Sequence, residues 1–198
     1  MNIVSLLEEL VNGLIAAEDK FFQNPKDFYS LETTVKSTTE AFSAAFLGNV
    51  LTSMNQKIYE DGWRQGKYTV QRTDKRTLIS SVGDISFEST YYREKENKEY
   101  HCLVEEVLGL GAHERFTEEA EVILLTEAMK TSYAEAARSL PSKQEITKTT
   151  VMNKVHRIAK EIPLPEKEYK KSCKYLFIEA DEDHVAEQHG RWAPKEEN

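Results

Sequence analysis

Apolar residues along this chain recur first at intervals of three and four, then of two, then of three and four again. Ile3, Leu6, Leu7, Leu10, Leu14 and Ile15 mark an amphipathic helix over residues 2–22. Asn24-Pro25 ends or bends it. A longer helix is expected over residues 30–61, with Leu31, Val35, Phe42, Phe46, Val50, Met54 and Ile58 as its stripe. A short turn between two such helices suits an antiparallel hairpin over residues 1–62. Periodicity says only that one face of each helix is covered. The covering partner is the other helix, or in addition a second copy of the chain in a homo-oligomer.

Period two takes over in residues 63–112, where Thr, Val, Ile, Phe and Tyr dominate. Residues 68–72 and 76–81 flank a turn-like Thr73-Asp74-Lys75, and Val82-Gly83-Asp84 reads as a second turn. Residues 85–93 alternate, and 95–99 form another turn before a last strand at 100–104. The pattern predicts a small antiparallel sheet of three or four strands. Its cations (Arg64, Lys67, Arg72, Lys75, Arg76, Arg93) are interleaved with Tyr68, Tyr91 and Tyr92. Such a ribbon can lie along DNA. The acids Asp61, Asp74, Glu88 and Glu94 fit a solvated face equally well.

Helical spacing returns in residues 113–164. Thr117 is placed to cap a helix over 118–130, whose first turn carries Glu118, Glu119 and Glu121. Ser132-Tyr-Ala-Glu135 is a capping box opening a helix over 133–140. Thr147 caps a third, over 148–160, that ends before Pro163. Three helices in this order match a helix-turn-helix unit with the last as recognition helix. They also match a plain three-helix bundle.

Charge sharpens this reading. The whole 198-residue chain carries a net charge of -8, which argues against general coating of nucleic acid. Yet residues 138–160 hold six basic residues against the single acid Glu145. That local excess is the footprint of a DNA-contacting face. Lys148, Thr149, Asn153, Lys154 and Arg157 are the candidate DNA contacts, since Thr, Asn and the cations suit base edges and phosphates. The two cysteines, Cys102 and Cys173, have no CxxC spacing and suggest a reducing compartment. No apolar run approaches the roughly 20 residues that span a bilayer. The first residues lack a basic leader, so a cytoplasmic location, with no membrane partner, is expected.

The last segment, 165–198, has a different signature. Residues 175–178 are continuously apolar, as in a strand buried on both faces, and they run into Glu179-Ala-Asp-Glu-Asp183. Alternation puts Glu179, Asp181 and Asp183 on one face. Carboxylates so placed can hold Mg2+. A strand running out into a solvated acidic turn would look the same.

In this order, Arg76-Thr-Leu-Ile-Ser-Ser-Val-Gly-Asp-Ile-Ser-Phe87, Tyr91-Tyr-Arg93, Leu108-Gly-Leu110, Ser132-Tyr-Ala-Glu-Ala-Ala137, Thr150-Val-Met-Asn-Lys-Val155 and Phe177-Ile-Glu-Ala-Asp-Glu-Asp-His-Val185 resemble the N-terminal part of an ISLre-type insertion-sequence transposase. That family was once catalogued only as uncharacterised proteins. The resemblance implies a DDE transposase whose RNase H-like domain uses two Asp and one Glu to bind Mg2+. Asp181 matches the first Asp of that triad, with Asp183 as the alternative metal ligand two residues on. The later Asp and Glu would lie beyond Asn198, so the chain alone is expected to be catalytically incomplete. The expected architecture is mainly α with a small antiparallel β module (α+β): a helical hairpin, the β module, a helix-turn-helix-like bundle and the first strand of an RNase H-like domain. The expected function is binding the ends of a mobile element for DNA transposition. The alternatives are a non-catalytic DNA-binding regulator derived from a transposase, and a helical oligomerisation module without DNA affinity.

Overall fold

The computed structural model describes residues 3–111 and 113–161; the acidic segment with Asp181 and Asp183 lies outside the described residues. Residues Met1–Ile162 form one compact unit. It is a mixed α+β structure, mostly helical, with one three-stranded antiparallel sheet. The elements are α1 (Ile3–Gln23), α2 (Phe28–Glu60), α3 (Gly62–Lys67), β1 (Tyr68–Ser80), β2 (Gly83–Glu94), β3 (Tyr100–His101), α4 (Leu103–Val107), α5 (Glu118–Ala128), α6 (Tyr133–Ala136) and α7 (Lys148–Glu161).

The helical pair forms as the periodicity predicts. Asp27 caps α2 by accepting from the Ser30 amide at 3.1 Å. α1 lays Leu6 and Ala17 inward, while Leu7, Val11, Ile15 and Phe22 form an exposed line along another side. The face that α2 turns to the sheet matches the expected stripe only in part, with Met54 and Ile58 packed on the sheet. Val35 and Val50 are exposed, whereas Ala44, Gly48 and Asn55 are buried. At Gly48 the backbones come so close that an added Cβ would sit 2.3 Å from the Ser86 carbonyl oxygen. Asn55 bonds to the sheet through both ends of its amide: Nδ2 donates to Thr90 Oγ1 at 2.9 Å, and Oδ1 accepts from the Thr90 amide at 3.0 Å. Close packing here uses small and polar residues, which a hydrophobic stripe does not reveal.

The sheet is simpler than expected. Thr73-Asp74-Lys75 is not a turn: β1 runs straight through it, pairing with β2 from Tyr68↔Glu94 to Ser80↔Gly83. The irregularity is a bulge between Val70 and Arg72. Regular pairing with β2 holds the turn-rich segment extended, since tertiary pairing overrides local preference. The expected strand at 100–104 shrinks to the two residues of β3, because Leu103 and Val104 turn into α4 and bury there.

Two cores share β1. Leu78 packs with Ile85, Phe87 and Val104 beneath α2. Its neighbour Ile79 points the other way, into Phe116, Ala120, Leu124, Ala136, Leu140 and Val151. The Ile79 amide donates to the Arg115 carbonyl at 2.7 Å, and its carbonyl accepts from the Thr117 amide at 2.9 Å. Burial of Leu78 and Ile79 contributes about 2 kcal/mol each.

The Gly48 contact gives a direct test. Gly48→Ala should cost about 1–3 kcal/mol by forcing α2 off β2. Gly66→Ala, in α3 with nothing within 4 Å of the added carbon, should be neutral or slightly stabilising. Urea unfolding midpoints of the two variants decide this; equal midpoints would contradict the close approach.

Candidate nucleic-acid interface

α5, α6 and α7 pack against one another around Ala120, Leu124, Ala136 and Val151. The expected caps are made. Thr117 Oγ1 accepts from the Ala120 amide at 3.3 Å, Ser132 Oγ from the Glu135 amide at 3.3 Å, and Thr147 Oγ1 from the Thr150 amide at 3.2 Å. α6 is shorter than expected, a single turn, and the chain then crosses residues 137–147 before α7 begins. That crossing is pinned to the sheet: Asp84 accepts from Ser142 Oγ at 2.6 Å and from the Lys143 amide at 3.0 Å.

α7 buries Val151, and its opposite face carries polar residues. Lys148, Thr149, Asn153, His156 and Arg157 are exposed, and the last four recur at helical spacing along one line. The five candidate DNA contacts therefore divide. Lys148, Thr149 and Asn153 stand free of the core. Arg157 is half-exposed and donates to Glu121 Oε2 at 3.1 Å.

Lys154 differs from the solvent-facing position expected of it. Only 11% of its side chain is exposed. Its ammonium pairs with Glu121, lies 3.4 Å from Glu114 Oε1, and sits 4.4 Å from the centre of the Phe116 ring. Burial draws its pKa below the usual lysine range, against the upward pull of Glu114. Lys154 thus fastens α7 to α5 and to the segment before it. Glu121 holds Lys154 and Arg157 together. Sequence reading assigned it only to the α5 dipole, because its partners lie 33 and 36 residues away.

The interleaved cations and tyrosines of the sheet are largely matched to one another. Arg72 pairs with Asp74 at 2.6 Å and lies over Tyr91; Arg93 lies over Tyr100. Arg64 is buried over Tyr59 and Tyr92. Arg76 pairs with Glu105 and donates to the Glu114 carbonyl at 2.8 Å. Burial lowers the Arg76 pKa and raises that of Cys102, whose thiol is therefore a poor nucleophile. Of these cations, Lys67, Arg72 and Lys75 are exposed. No helix among the described residues is long and apolar enough to cross a membrane.

Comparison with known proteins gives the chain its relatives. A UPF0236 protein of Caldanaerobacter subterraneus subsp. tengcongensis is 34% identical over 161 residues, covering 81% of this chain and 34% of the relative. Another from the same organism is 32% identical over 190 residues, covering 96% of this chain and 39% of the relative. The printed name of the second carries eleven locus labels, that of the first four. The chain thus spans little more than a third of the length of these relatives. The model of the uncharacterised protein family UPF0236 matches residues 22–197, and the chain belongs to that family.

Proposed function

We propose that this chain is the DNA-recognising portion of an insertion-sequence transposase of the ISLre type. In this reading α5, α6 and α7 act as a helix-turn-helix unit with α7 as its recognition helix. The observation that carries the reading is the line Thr149, Asn153, His156 and Arg157, with Lys148 beside it. These residues are exposed on a helix whose opposite side is locked into a core. Asn and Thr offer the donors and acceptors that read base edges, and Lys148 and Arg157 supply charge for phosphates. Lys154 takes the supporting role, holding α7 in place from below. The many loci under one relative's name suit a sequence that multiplies within a genome.

The resemblance extends the proposal to the whole protein: a DDE transposase with an RNase H-like domain in which Asp181, with Asp183 as the alternative, holds Mg2+. Both residues lie outside the described residues. Mg2+ bound there would stabilise the attacking and leaving oxygens of a phosphoryl displacement. The cellular setting of this reading is the bacterial cytoplasm, with the protein on the nucleoid when it is bound to DNA.

A second reading, self-association, draws on the exposed line Leu7, Val11, Ile15 and Phe22 of α1. It is compatible with the first.

Three measurements test these readings. Lys148→Ala with Arg157→Ala should weaken binding to a duplex carrying the ends of the encoding element. The double variant should also lower the slope of log affinity against log salt by about 2. An unchanged slope in fluorescence anisotropy titrations at several salt concentrations removes α7 from the interface. Lys154→Ala should cost about 2 kcal/mol of stability, because it removes the cation Glu114 and Glu121 share and leaves Glu121 with Arg157 alone. Thermal unfolding checks this, and an unchanged midpoint counts against the anchoring role. Leu7→Glu with Ile15→Glu should shift any dimer to monomer in sedimentation velocity; a mass unaffected by the pair excludes α1 as the contact.

A further inference from the structure

We propose that Glu94, Glu99 and His101 form a binding site for a divalent transition-metal cation of the Zn2+ type, at the hairpin joining β2 to β3. The site is remote in sequence from α7 and from Asp181, and it stands independently of the DNA reading.

The hairpin itself assembles the three ligands. Glu94 ends β2, and its amide donates to the Glu99 carbonyl at 2.8 Å. His101 pairs with Tyr92 in the same ladder. Period two then sets Glu99 and His101 on one face, with Glu94 opposite Glu99. Lys98, with φ of 66°, supplies the left-handed residue of the turn. One ligand atom from each of the three side chains lies within 4.8 Å of the other two. Ligands about 2.0–2.2 Å from a tetrahedral ion are about 3.4 Å apart, so modest side-chain rotation closes the site.

Each ligand is also held from behind, as in built metal sites. Lys67 Nζ lies 2.9 Å from Glu94 Oε1, leaving Oε2 turned towards His101. Asn97 Nδ2 donates to Glu99 Oε2 at 3.0 Å. His101 Nδ1 lies 2.8 Å from Glu106 Oε1, an arrangement that keeps the proton on Nδ1 and the lone pair on Nε2. That Nε2 is buried and has no hydrogen-bond partner; Glu94 Oε2, at 3.7 Å, is too far. A buried imidazole lone pair facing two carboxylates is unfavourable by itself and favourable around a cation. Lys67 is half-exposed and can swing away from an arriving cation.

The donor set selects the ion. One imidazole nitrogen with two carboxylate oxygens suits borderline first-row ions such as Zn2+, whereas Mg2+ prefers oxygen alone and keeps its waters. Bound there, the ion would clasp the two-residue β3 to the end of β2. Through Glu106 it would also steady α4.

The test is calorimetric titration of the full chain, stripped with chelator, with ZnCl2 and separately with MgCl2. One equivalent of Zn2+ should bind, with little heat from Mg2+. Glu99→Gln and His101→Ala should each weaken Zn2+ binding at least tenfold, and Glu106→Gln about tenfold through the imidazole. Glu99 is exposed, so its variant keeps the test valid even if His101→Ala, which loses a contact with Tyr68, unfolds. No saturable Zn2+ binding by the intact chain overturns the proposal. Binding unchanged in Glu99→Gln overturns it equally, because that Zn2+ would sit elsewhere.

Discussion

The fold depends on the end of β1. Leu78 and Ile79 are neighbours in sequence and point to opposite sides of the strand, so each serves a different core. Both backbone groups of Ile79 are taken by Arg115 and Thr117, in a short parallel bridge centred on Phe116. This splice ties the sheet, and through it α2, to α5, α6 and α7. Buried backbone groups need partners, and here the partners come from the other core.

Cations reinforce the joint from inside. Arg76 reaches Glu105 and the Glu114 carbonyl, and Lys154 reaches Glu114 and Glu121. Glu114 thus receives both, one at its carbonyl and one at its carboxylate. Positive charge that looks in the sequence like a surface for DNA is in part structural. What remains outside, on α7, is a narrower and more ordered set of groups than the count of lysines and arginines suggests.

Much of this architecture was legible in the chain. Period located the long helices, and the caps Thr117, Ser132 and Thr147 located α5, α6 and α7, because they do locally what their chemistry favours. The paired carboxylates and histidine at the β2–β3 turn could have been found by applying period two across the predicted turn at 95–99. Other features were not legible. Gly48 and Asn55 carry the closest helix–sheet contact, yet neither is apolar, so the stripe drawn through Val35 and Val50 missed it. Thr73-Asp74-Lys75 has turn composition but is held extended by β2, since tertiary pairing overrides local preference. The inward turn of Lys154 depends on Glu114 and Glu121, which no local pattern links to it.

The two-sided use of Leu78 and Ile79 also governs where the hairpin tolerates change. A one-residue slip of β1 would exchange the two side chains and spoil both cores at once. Register is therefore locked at this end of the strand. The bulge between Val70 and Arg72 lies at the other end, near solvent, where an extra residue has already been absorbed. Among family members, length variation in this hairpin should concentrate around that bulge, while the distance from Leu78 to the turn at Gly83 stays constant.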